Sequence, residues 1–266
     1  MIDYRFLRAL QSQFPFLLEI KVAAQRQMRL ALKRPFEPDF QILQSCPTEA
    51  PSILDIGANR GQSIDAILMF RPSAHIVAFE PNDRLASRLT QRFTKNDQIR
   101  VENTGLGAAP SDHTLYIPVY NGFEYDGLAS FDREEAVGWL NEETLAGFSE
   151  RKLSIREMPC HVTTVDSYGL APDMIKLDVQ GFEAEVLKGA EATLQAHAPL
   201  ILMENNPDAD TLLTGWGWSR HALVGDRLLA GEIGALNTFY TLEQTLENWP
   251  AFRTGQLTAA ALAPAL

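Results

Sequence analysis

The stretch Ile53-Leu54-Asp55-Ile56-Gly57-Ala58-Asn59-Arg60-Gly61-Gln62 decides the fold of this 266-residue chain. Residues 52–56 form a short, apolar, β-branched run, and residues 63–70 continue with apolar side chains at helical spacing. Two glycines bracket a tight turn between them, so the pattern predicts a strand, a glycine loop and a helix. Glycine lets the backbone approach a ligand closely here; the alternative is that only the turn itself requires it.

A carboxylate follows the glycine loop at the spacing typical of a nucleotide-cofactor site. The apolar run Val77-Ala78-Phe79 ends at Glu80-Pro81-Asn82, roughly twenty residues after the loop, where a strand tip would offer Glu80 to the two hydroxyls of a ribose. The loop has neither the G-x-G-x-x-G spacing of dinucleotide sites nor the ending of phosphate loops. Asp55, directly before the glycines, repels an anion and favours a cationic group such as a sulfonium. S-adenosylmethionine is therefore favoured over NAD.

The rest of the chain alternates between strand-like and helix-like segments. Helical spacing covers residues 84–93 and also 182–194, where an apolar stripe predicts one continuous helix after Gly181. This alternation predicts an α/β protein with a mostly parallel sheet and with ligands at the carboxyl ends of its strands. An additional strand contains Pro118, which favours an edge position. The predicted strands are residues 52–56, 74–79, 99–103, 114–119, 156–165, 174–178, 199–203, 218–224 and 237–240.

Polar side chains follow two of these strands. Asp178 ends one strand and Glu204-Asn205 end another, so we expect them to converge near the glycine loop. In one interpretation Asp178 and Glu204 align an acceptor or the methionine end of the cofactor, and a general base is needed only for early proton loss. In the other, the oxygens hold Mg²⁺ against a diol. Alignment without a metal is favoured, because neighbouring backbone amides commonly hold strand-end carboxylates.

Residues 121–150 interrupt the alternation of strands and helices. They combine several glycines with aromatic residues, which suits an insertion over the cofactor pocket. A surface loop that its aromatic side chains pin down is the alternative.

Residues 1–34 differ in charge from the rest of the chain. They contain seven basic and two acidic residues, a net charge of +5, so the remainder carries −16 of the total −11. The acidic remainder argues against nucleic acid as a partner. A helix packed on the domain with a solvated basic face is favoured over a lid, a dimer arm or a contact with anionic membrane. Beginning at Pro15 and stopping before Pro35, this helix would bury Leu17, Ile20, Ala24, Met28 and Ala31.

Composition narrows the class of protein and its compartment. No segment approaches the ~20 continuous apolar residues of a membrane span, and the N-terminus lacks a secretion signal, so a soluble cytoplasmic protein is expected. The two cysteines, Cys46 and Cys160, have no metal-ligand or C-x-x-C spacing and are expected to serve packing.

Four motifs resemble the FkbM family of S-adenosylmethionine-dependent methyltransferases over residues 52–240. They are Leu54-Asp55-Ile56-Gly57-Ala58-Asn59-Arg60-Gly61, Phe79-Glu80-Pro81-Asn82, residues 175–190 with the core Asp178-Val179-Gln180-Gly181-Phe182-Glu183, and Leu202-Met203-Glu204-Asn205. The third motif is the most specific. The resemblance implies a Rossmann-like methyltransferase fold, with helices on both faces of the sheet and a final antiparallel strand. It also implies methyl transfer to a hydroxyl of a sugar or a natural product.

The resemblance assigns roles to individual residues. Asp178 and Glu204 are the expected catalytic residues, and no metal ligand is assigned. The segment Asn103-Thr104-Gly105-Leu106-Gly107 departs from the family in having glycine where alanine is common. The expected cofactor-binding residues are Asp55, Gly57, Asn59, Gly61, Glu80, Asn82, Asn103 and Leu106.

The chain is accordingly expected to be an S-adenosylmethionine-dependent O-methyltransferase in three parts. A helical appendage would cover residues 1–45, the methyltransferase domain residues 46–253, and a flexible tail residues 254–266. A small molecule or glycan is the expected acceptor, and a homodimer through the N-terminal helix is one option. A catalytically inactive binding or scaffold module of the same fold, and an NAD-dependent oxidoreductase, are the alternatives.

Overall fold

The computed structural model describes residues 15–257; the side chains of residues 15–20 and of Val22 lie outside that description. No helix within the described range is long and apolar enough to cross a membrane. The strands are β1 (Ser52–Ile56), β2 (His75–Phe79), β3 (Ile99–Glu102), β4 (Gly105–Leu106), β5 (Ser111–Tyr120), β6 (Phe123–Glu124), β7 (Leu153–Thr163), β8 (Met174–Leu177), β9 (Leu200–Glu204), β10 (Ser219–Val224), β11 (Arg227–Ala230) and β12 (Asn237–Thr241). The helices are α1 (Pro15–Ala31), α2 (Gln62–Phe70), α3 (Asp83–Phe93), α4 (Arg133–Gly138), α5 (Glu183–Lys188), α6 (Glu191–His197), α7 (Pro207–Gly215), α8 (Glu243–Asn248) and α9 (Ala251–Thr254), and a 3-10 helix (Pro38–Ser45) precedes β1.

Eight strands form the main sheet, in the order β11-β10-β12-β9-β8-β1-β2-β3. The strands from β9 to β3 run parallel, while β12 is antiparallel to both β9 and β10, and β11 is antiparallel to β10. The chain order reverses where β1 lies beside β8, and in open α/β sheets such a switch point leaves a crevice at the carboxyl ends of the strands. The expected Rossmann-like fold is confirmed, but two strands, β12 and β11, run against the others where one final strand was expected.

Both faces of the main sheet are buried. Successive residues of β1 point to opposite sides: Ile53 joins an apolar cluster with α2 and the 3-10 helix, whereas Leu54 joins a second cluster with α5, α6 and α7. A strand that is covered on both faces has a nearly continuous apolar sequence, which is why the sequence of β1 predicted this strand. Packing on both faces therefore holds in place the end of the sheet that carries the glycine loop.

A separate four-stranded sheet, in the order β4-β7-β5-β6, contains the strand that was expected on an edge of the main sheet. The edge prediction is wrong, because β5 lies between β7 and β6, although β6 pairs only with Val119 and Tyr120. Pro118 keeps one backbone bond, since its carbonyl accepts the N–H of Tyr125 at 2.8 Å. Pairing between segments about forty residues apart forms this sheet, and local patterns do not reveal such pairing.

The single helix predicted after Gly181 is two helices, α5 and α6. Gly189 separates them, because a Cβ at this position would lie 1.9 Å from the backbone oxygen of Gly107. The carboxylate of Asp166 accepts the N–H of Thr193 at 2.8 Å and thereby caps α6. The break therefore follows from close backbone packing rather than from the apolar stripe.

Helix α1 presents the opposite face to the domain from the one expected. Of the predicted stripe, Ala24, Met28 and Ala31 are exposed, and the other two side chains lie outside the described residues. Arg26 faces the domain instead, and its guanidinium donates to both carboxylate oxygens of Asp65 in α2, at 2.7 and 3.1 Å. The predicted packing is wrong because a half-buried carboxylate on α2 attracts the basic face of α1.

Both expected domain boundaries fall inside packed structure. Phe40, Ile42 and Leu43 are fully buried in the main core, so a boundary at residue 45 is too late. At the other end α9 crosses the boundary at 253, and the N–H of Leu257 donates to the carbonyl of Asp226 at 2.8 Å. The rest of the expected tail, residues 258–266, lies outside the described residues.

Candidate functional site

A cavity of about 200 Å³ opens at the carboxyl ends of β1, β2 and β8, at the switch point of the main sheet. Its walls come from the glycine loop, from the ends of β2 and β8, and from the second sheet with the segment after β5. Of the residues expected at the site, Gly57, Asn59, Glu80, Leu106 and Asp178 line this cavity.

Gly57 has no room for a side chain. Its φ is +80°, and a Cβ would lie 1.8 Å from the carbonyl oxygen of Asp178. Its own carbonyl accepts the Nζ of Lys176 at 2.8 Å. Asn59 also has positive φ, 47°, and this turn directs its N–H to a carboxylate oxygen of Glu80 at 2.7 Å. The glycine is thus required by contact with β8, and it lies against the cavity as well.

Glu80 stands at the end of β2 with only 6% of its surface exposed. One oxygen accepts the N–H of Asn59 at 2.7 Å, and the other accepts the N–H of Asn82 at 2.9 Å. Burial raises the pKa of Glu80 to about 7, although these two hydrogen bonds act to lower it. Each oxygen retains a lone pair for a further donor, so the carboxylate can accept two vicinal hydroxyls.

Asp55, an expected cofactor-binding residue, does not line the cavity. It is fully buried behind the loop, where the hydroxyl of Ser63 donates to Oδ2 and the Nζ of Lys176 lies 3.7 Å from Oδ1. Burial raises the pKa of Asp55, while Lys176 and Ser63 lower it. Asp55 therefore acts on the site through Lys176.

Gly61, Asn82 and Asn103 also support the site without lining the cavity. A Cβ on Gly61 would lie 2.8 Å from a methyl group of Leu89, so this glycine lets the loop pack on α3. Asn82 caps α3 by accepting a backbone N–H at 3.1 Å. Asn103 donates to the carbonyl of Glu80 at 3.0 Å. All three have structural roles of this kind because turns and helix caps use the same residue types as binding loops.

The second sheet closes the cavity beside Leu106. A Cβ on Gly105 would lie 2.9 Å from Val162 and 3.1 Å from the ring of Phe131, so this glycine leaves space for an aromatic wall. Phe131 meets Phe182 edge to face, with ring centroids 5.1 Å apart. The result is an apolar slot lined by Leu106 and Phe131. Sequence analysis missed Phe131 because it lies far along the chain from the glycine loop.

Asp178 and Glu204 come together at the ends of β8 and β9. The Nε2 of Gln180 donates to Oδ1 of Asp178 at 3.0 Å and to Oε2 of Glu204 at 3.1 Å. Burial and the charge of Asp178 raise the pKa of Glu204 to about 8. Burial opposes ionisation of Asp178 as well, but the charge of Lys176 and hydrogen bonds from Glu204 and Gln180 leave its pKa lowered. These opposite shifts favour the protonated form of Glu204 and the ionised form of Asp178.

Lys176 is a site residue that the sequence analysis missed. It lies in β8 with 5% of its surface exposed, and its Nζ is 3.4 Å from Oδ2 of Asp178 and 3.7 Å from Oδ1 of Asp55. Burial lowers the pKa of Lys176, but the charges of Asp178 and Asp55 outweigh burial and raise it. The available signal was a lysine inside the apolar run Ile175-Lys176-Leu177, because a buried lysine needs an acidic partner.

Asn205 does not join the pair of carboxyl groups, contrary to expectation. Its amide donates to the carbonyl of Gly234 at 2.7 Å, and its oxygen accepts the hydroxyl of Thr238 at 2.7 Å. These bonds hold Asn205 against β12. Across residues 15–257, no group of three His, Cys, Asp or Glu side chains is arranged to hold a metal ion.

Residues 121–150 lie over the cavity, in agreement with the insertion interpretation. Asp126 and Phe131 both line it. Arg60 of the glycine loop binds one oxygen of Asp126 through two guanidinium nitrogens, at 3.0 and 2.6 Å. Ser130 donates to Glu135 at 2.6 Å, and that carboxylate stands 2.9 Å from where a Cβ on Gly181 would be. The segment is thus tied to the loop and approaches the turn after β8.

The segment before β1 reaches the same edge of the sheet from the other side. Asn237 in β12 donates its amide to Glu37 and to Asp39, both at 3.0 Å. Burial raises the pKa of Glu37 to about 7, with Lys176 lowering it and Asp178 raising it. The charges of Lys176 and Asp178 therefore affect the pKa of Glu37. The position of Glu37 in the sequence did not suggest this.

Comparison with known families identifies the class of enzyme. Residues 55–220, more than half of the chain, match the methyltransferase FkbM domain. The chain belongs to the FkbM methyltransferase family. The matched range contains Gly57, Glu80, Asp178 and Glu204, whereas α1 and the 3-10 helix precede it. The expected family is confirmed.

Two curated relatives each match about three fifths of the chain. The 2-O-methyltransferase NoeI of Sinorhizobium fredii is 25% identical over 180 residues, which cover 58% of this chain and 63% of NoeI. The AMB antimetabolite synthetase AmbE of Pseudomonas aeruginosa is 27% identical over 186 residues, which cover 61% of this chain and 9% of AmbE. The chain spans less than two thirds of either relative. Among solved structures, the methyltransferase FkbM from Methylobacillus flagellatus KT is 16% identical, with a TM-score of 0.45, and the match covers 74% of this chain and 47% of that chain.

Proposed function

We propose that this protein transfers a methyl group from S-adenosylmethionine to a hydroxyl oxygen of a sugar, glycan or natural-product acceptor. The observation that carries the proposal is the meeting of Gly57, Glu80 and Asp178 in one cavity, within the range matched by the family. The name of NoeI, a 2-O-methyltransferase, favours oxygen as the acceptor atom. The name of AmbE, an antimetabolite synthetase, supports a small-molecule product rather than a nucleic acid.

The residues around the cavity fit this cofactor. Glu80 has a lone pair on each oxygen for the two ribose hydroxyls, and Gly57 and Asn59 bring the backbone close to the same region. The slot lined by Leu106 and Phe131 suits the flat face of an adenine. We propose these residues as the contacts of the cofactor, with Asp55, Gly61, Asn82 and Asn103 holding them in place.

Methyl transfer requires little of the protein beyond alignment of the acceptor hydroxyl with the methyl group. S-adenosylmethionine supplies a methyl group that its sulfonium has already activated toward an oxygen nucleophile. Asp178, ionised and partly exposed, accepts a hydrogen bond from the acceptor hydroxyl and so orients the oxygen. Glu204 keeps its proton at neutral pH and, with Gln180, fixes the Asp178 carboxylate. Lys176 contacts both Asp178 and the carbonyl of Gly57. It thereby holds the residue proposed to bind the acceptor next to the loop proposed to bind the cofactor.

Isothermal titration calorimetry tests the choice of cofactor. S-adenosylmethionine and S-adenosylhomocysteine should bind at micromolar levels, and NAD should give no heat of binding. Glu80→Ala should weaken binding by about 1.5–3 kcal/mol for each charge-assisted hydrogen bond lost. The matched control is Glu102→Ala, a carboxylate at the end of β3 that does not line the cavity and should bind like the wild type. Preferential binding of NAD would overturn the proposal.

A chelator separates the two interpretations of Asp178 and Glu204. We propose that they align the acceptor without a metal, because bonds to Gly234 and Thr238 hold Asn205 and leave only two of the three expected oxygen donors together. Mass spectrometry can detect methyl transfer to a panel of glycans and hydroxylated natural products. With any active acceptor, the rate should survive EDTA. Loss of the rate in EDTA and its recovery with Mg²⁺ would establish the metal interpretation and leave the methyltransferase assignment standing.

We also propose revised limits for the catalytic domain. Because Phe40 and Leu43 are buried in the main core and Leu257 bonds to Asp226, the domain extends from about residue 36 to residue 257. Helix α1 then stands apart as a separate element on its surface.

A further inference from the structure

Helix α1 turns its apolar stripe toward solvent. Met28 is 57% exposed, and Leu32, one turn further on, is also 57% exposed. Ala24 and Ala31 lie on the same side and are exposed. These residues follow the spacing of one helical face, so they form a continuous surface, which we call the α1 stripe.

Ion pairs hold the opposite side of α1 against the domain, so the helix cannot rotate to bury the α1 stripe. Arg26 binds both oxygens of Asp65, and Arg92 of α3 binds the same carboxylate. Arg29 is half-buried beside them, in a groove between α1 and α2. Turning the stripe inward would remove Arg26 from a carboxylate that is only 14% exposed. The ion pair therefore fixes which face of α1 is presented outward.

Basic side chains flank the α1 stripe. Lys33 and Arg34 are exposed at its C-terminal end, and Lys21 lies at its other end. Helix α3 adds the exposed Arg84 and Arg88 on the neighbouring surface, where Arg88 lines a groove together with Ala23 of α1. This concentration of positive charge contrasts with the remainder of the chain beyond residue 34, which carries −16. An occupant of the stripe must accordingly be apolar at its centre and anionic around it.

We propose that the α1 stripe docks on an anionic lipid surface, with Met28 and Leu32 in the acyl and headgroup boundary and the flanking cations against phosphate groups. An amphipathic helix with basic flanks and an outward apolar face suits this position. A second copy meeting the same stripe would bring two sets of cations together, whereas a lipid surface satisfies the apolar and the basic features at once. The match to the family domain begins at residue 55, so helix α1 lies outside the region that this chain shares with the family.

Helix α1 also borders a groove next to the main cavity. Ala23, Asn59 and Arg60 line one groove, and Asn59 also lines the main cavity. The groove and the main cavity therefore share Asn59. The proposal does not depend on the identity of the cofactor or the acceptor.

Vesicle co-sedimentation of the full chain tests the proposal. Vesicles of phosphatidylglycerol and phosphatidylcholine should sediment the protein, vesicles of phosphatidylcholine alone should not, and high salt should reverse the binding. Met28→Glu with Leu32→Glu should weaken binding at least tenfold while leaving the melting temperature and cofactor binding unchanged. Val224→Glu with Leu236→Glu, a matched pair of exposed apolar residues elsewhere, should bind like the wild type.

Two further measurements keep the alternatives distinct. Sedimentation velocity should give the same mass for the wild type and the Met28→Glu with Leu32→Glu variant; a dimer that this variant dissociates would assign the stripe to a second copy and overturn the proposal. Deletion of residues 1–14 should leave hydrogen exchange of α1 unchanged without lipid. Faster exchange after that deletion would mean that the chain covers its own stripe. Equal sedimentation with both kinds of vesicle would also overturn the proposal.

Discussion

The cavity has two walls that different interactions hold in place. The first, which we call the loop wall, consists of the glycine loop and the ends of β2 and β8, and backbone hydrogen bonds and close atomic contacts fix it. The second, which we call the cover segment, is residues 121–150, and it is attached to the loop wall chiefly by the ion pair between Arg60 and Asp126. The loop wall is buried or half-buried, whereas the cover segment is largely half-buried or exposed.

This difference separates the demands of cofactor and acceptor. A shared cofactor needs one fixed geometry, which neighbouring backbone groups can supply within a short stretch of sequence. An acceptor that differs between enzymes is better bound by a segment whose contacts can vary without disturbing the core. We therefore expect substitutions in the loop wall to cost far more than matched substitutions in the cover segment.

Two glycines with the same backbone conformation compare the two walls directly. Gly57 and Gly122 both have a φ of +80°, but a Cβ at Gly57 would lie 1.8 Å from the Asp178 carbonyl, whereas nothing lies within 4 Å at Gly122. Gly57→Ala should lower the free energy of unfolding by more than about 3 kcal/mol and abolish cofactor binding. Gly122→Ala should cost only about 1–2 kcal/mol of backbone strain. Urea unfolding of both variants checks this, and equal costs would remove the distinction between the two walls.

Lys176→Met tests the charge at the centre of the loop wall. Removing the cation leaves Asp55 and Asp178 facing each other in a buried site, so the free energy of unfolding should fall by about 3–5 kcal/mol at pH 8. Burial already raises the pKa of Asp55, and losing Lys176 would raise it further. An acid whose folded pKa is raised costs more stability as pH rises, so the loss should shrink when unfolding is measured at pH 5.

The control for this variant is Lys188→Met, a half-exposed lysine on α5 paired with Glu185. Its free energy of unfolding should change by less than about 0.5 kcal/mol. A Lys176→Met protein as stable as this control at both pH values would show that the buried cation does not hold the loop wall together.

Glu80 should make cofactor affinity depend on pH. Its pKa is raised to about 7, and the ionised carboxylate is the form that accepts hydrogen bonds from two hydroxyls. The dissociation constant for S-adenosylhomocysteine should therefore be roughly tenfold larger at pH 6 than at pH 8. Calorimetry on Glu80→Gln, which cannot ionise, reveals any pH dependence that comes from the ligand. An identical pH profile in both proteins would contradict the assignment of Glu80.

The ion pair between the two walls should have the smallest effect. Arg60 and Asp126 are 19% and 16% exposed, and a double-mutant cycle with alanine should give a coupling of about 1–2 kcal/mol. The exposed pair Arg253 and Glu243 should give less than about 0.5 kcal/mol. Loss of the first pair should also speed hydrogen exchange in residues 121–150 without changing exchange in β1. No change in exchange would mean that other contacts attach the cover segment.

The sequence predicted the loop wall well because its parts are local. A strand, a glycine loop and a carboxylate at the next strand tip lie within thirty residues of each other, and each leaves a pattern in its own segment. The burial of Asp55 behind the loop was not predicted, because a buried carboxylate and a ligand-binding carboxylate look alike in sequence. Lys176 was missed because its role comes from partners on two different strands, Asp55 on β1 and Asp178 at the end of β8.

The remaining features that the sequence did not predict depend on contacts between segments far apart in the chain. The second sheet forms by pairing β5 with β7, and Phe131 reaches the cavity only after that pairing. The apolar stripe of α1 was recognised, but its direction depends on Asp65, which lies in another helix. Periodicity identifies the faces of a helix, and only tertiary contacts decide which face is buried.

The most direct test of the central claim is Asp178→Asn, because Asp178 stands where the cofactor and acceptor sides meet. We would measure turnover with an active acceptor and, on the same preparation, the affinity for S-adenosylhomocysteine. The expected result is a turnover lower by at least about 100-fold with an affinity unchanged within about twofold, as for an interaction used mainly in the transition state. Full turnover in this variant, or a loss of cofactor affinity as large as the loss of turnover, would contradict the claim.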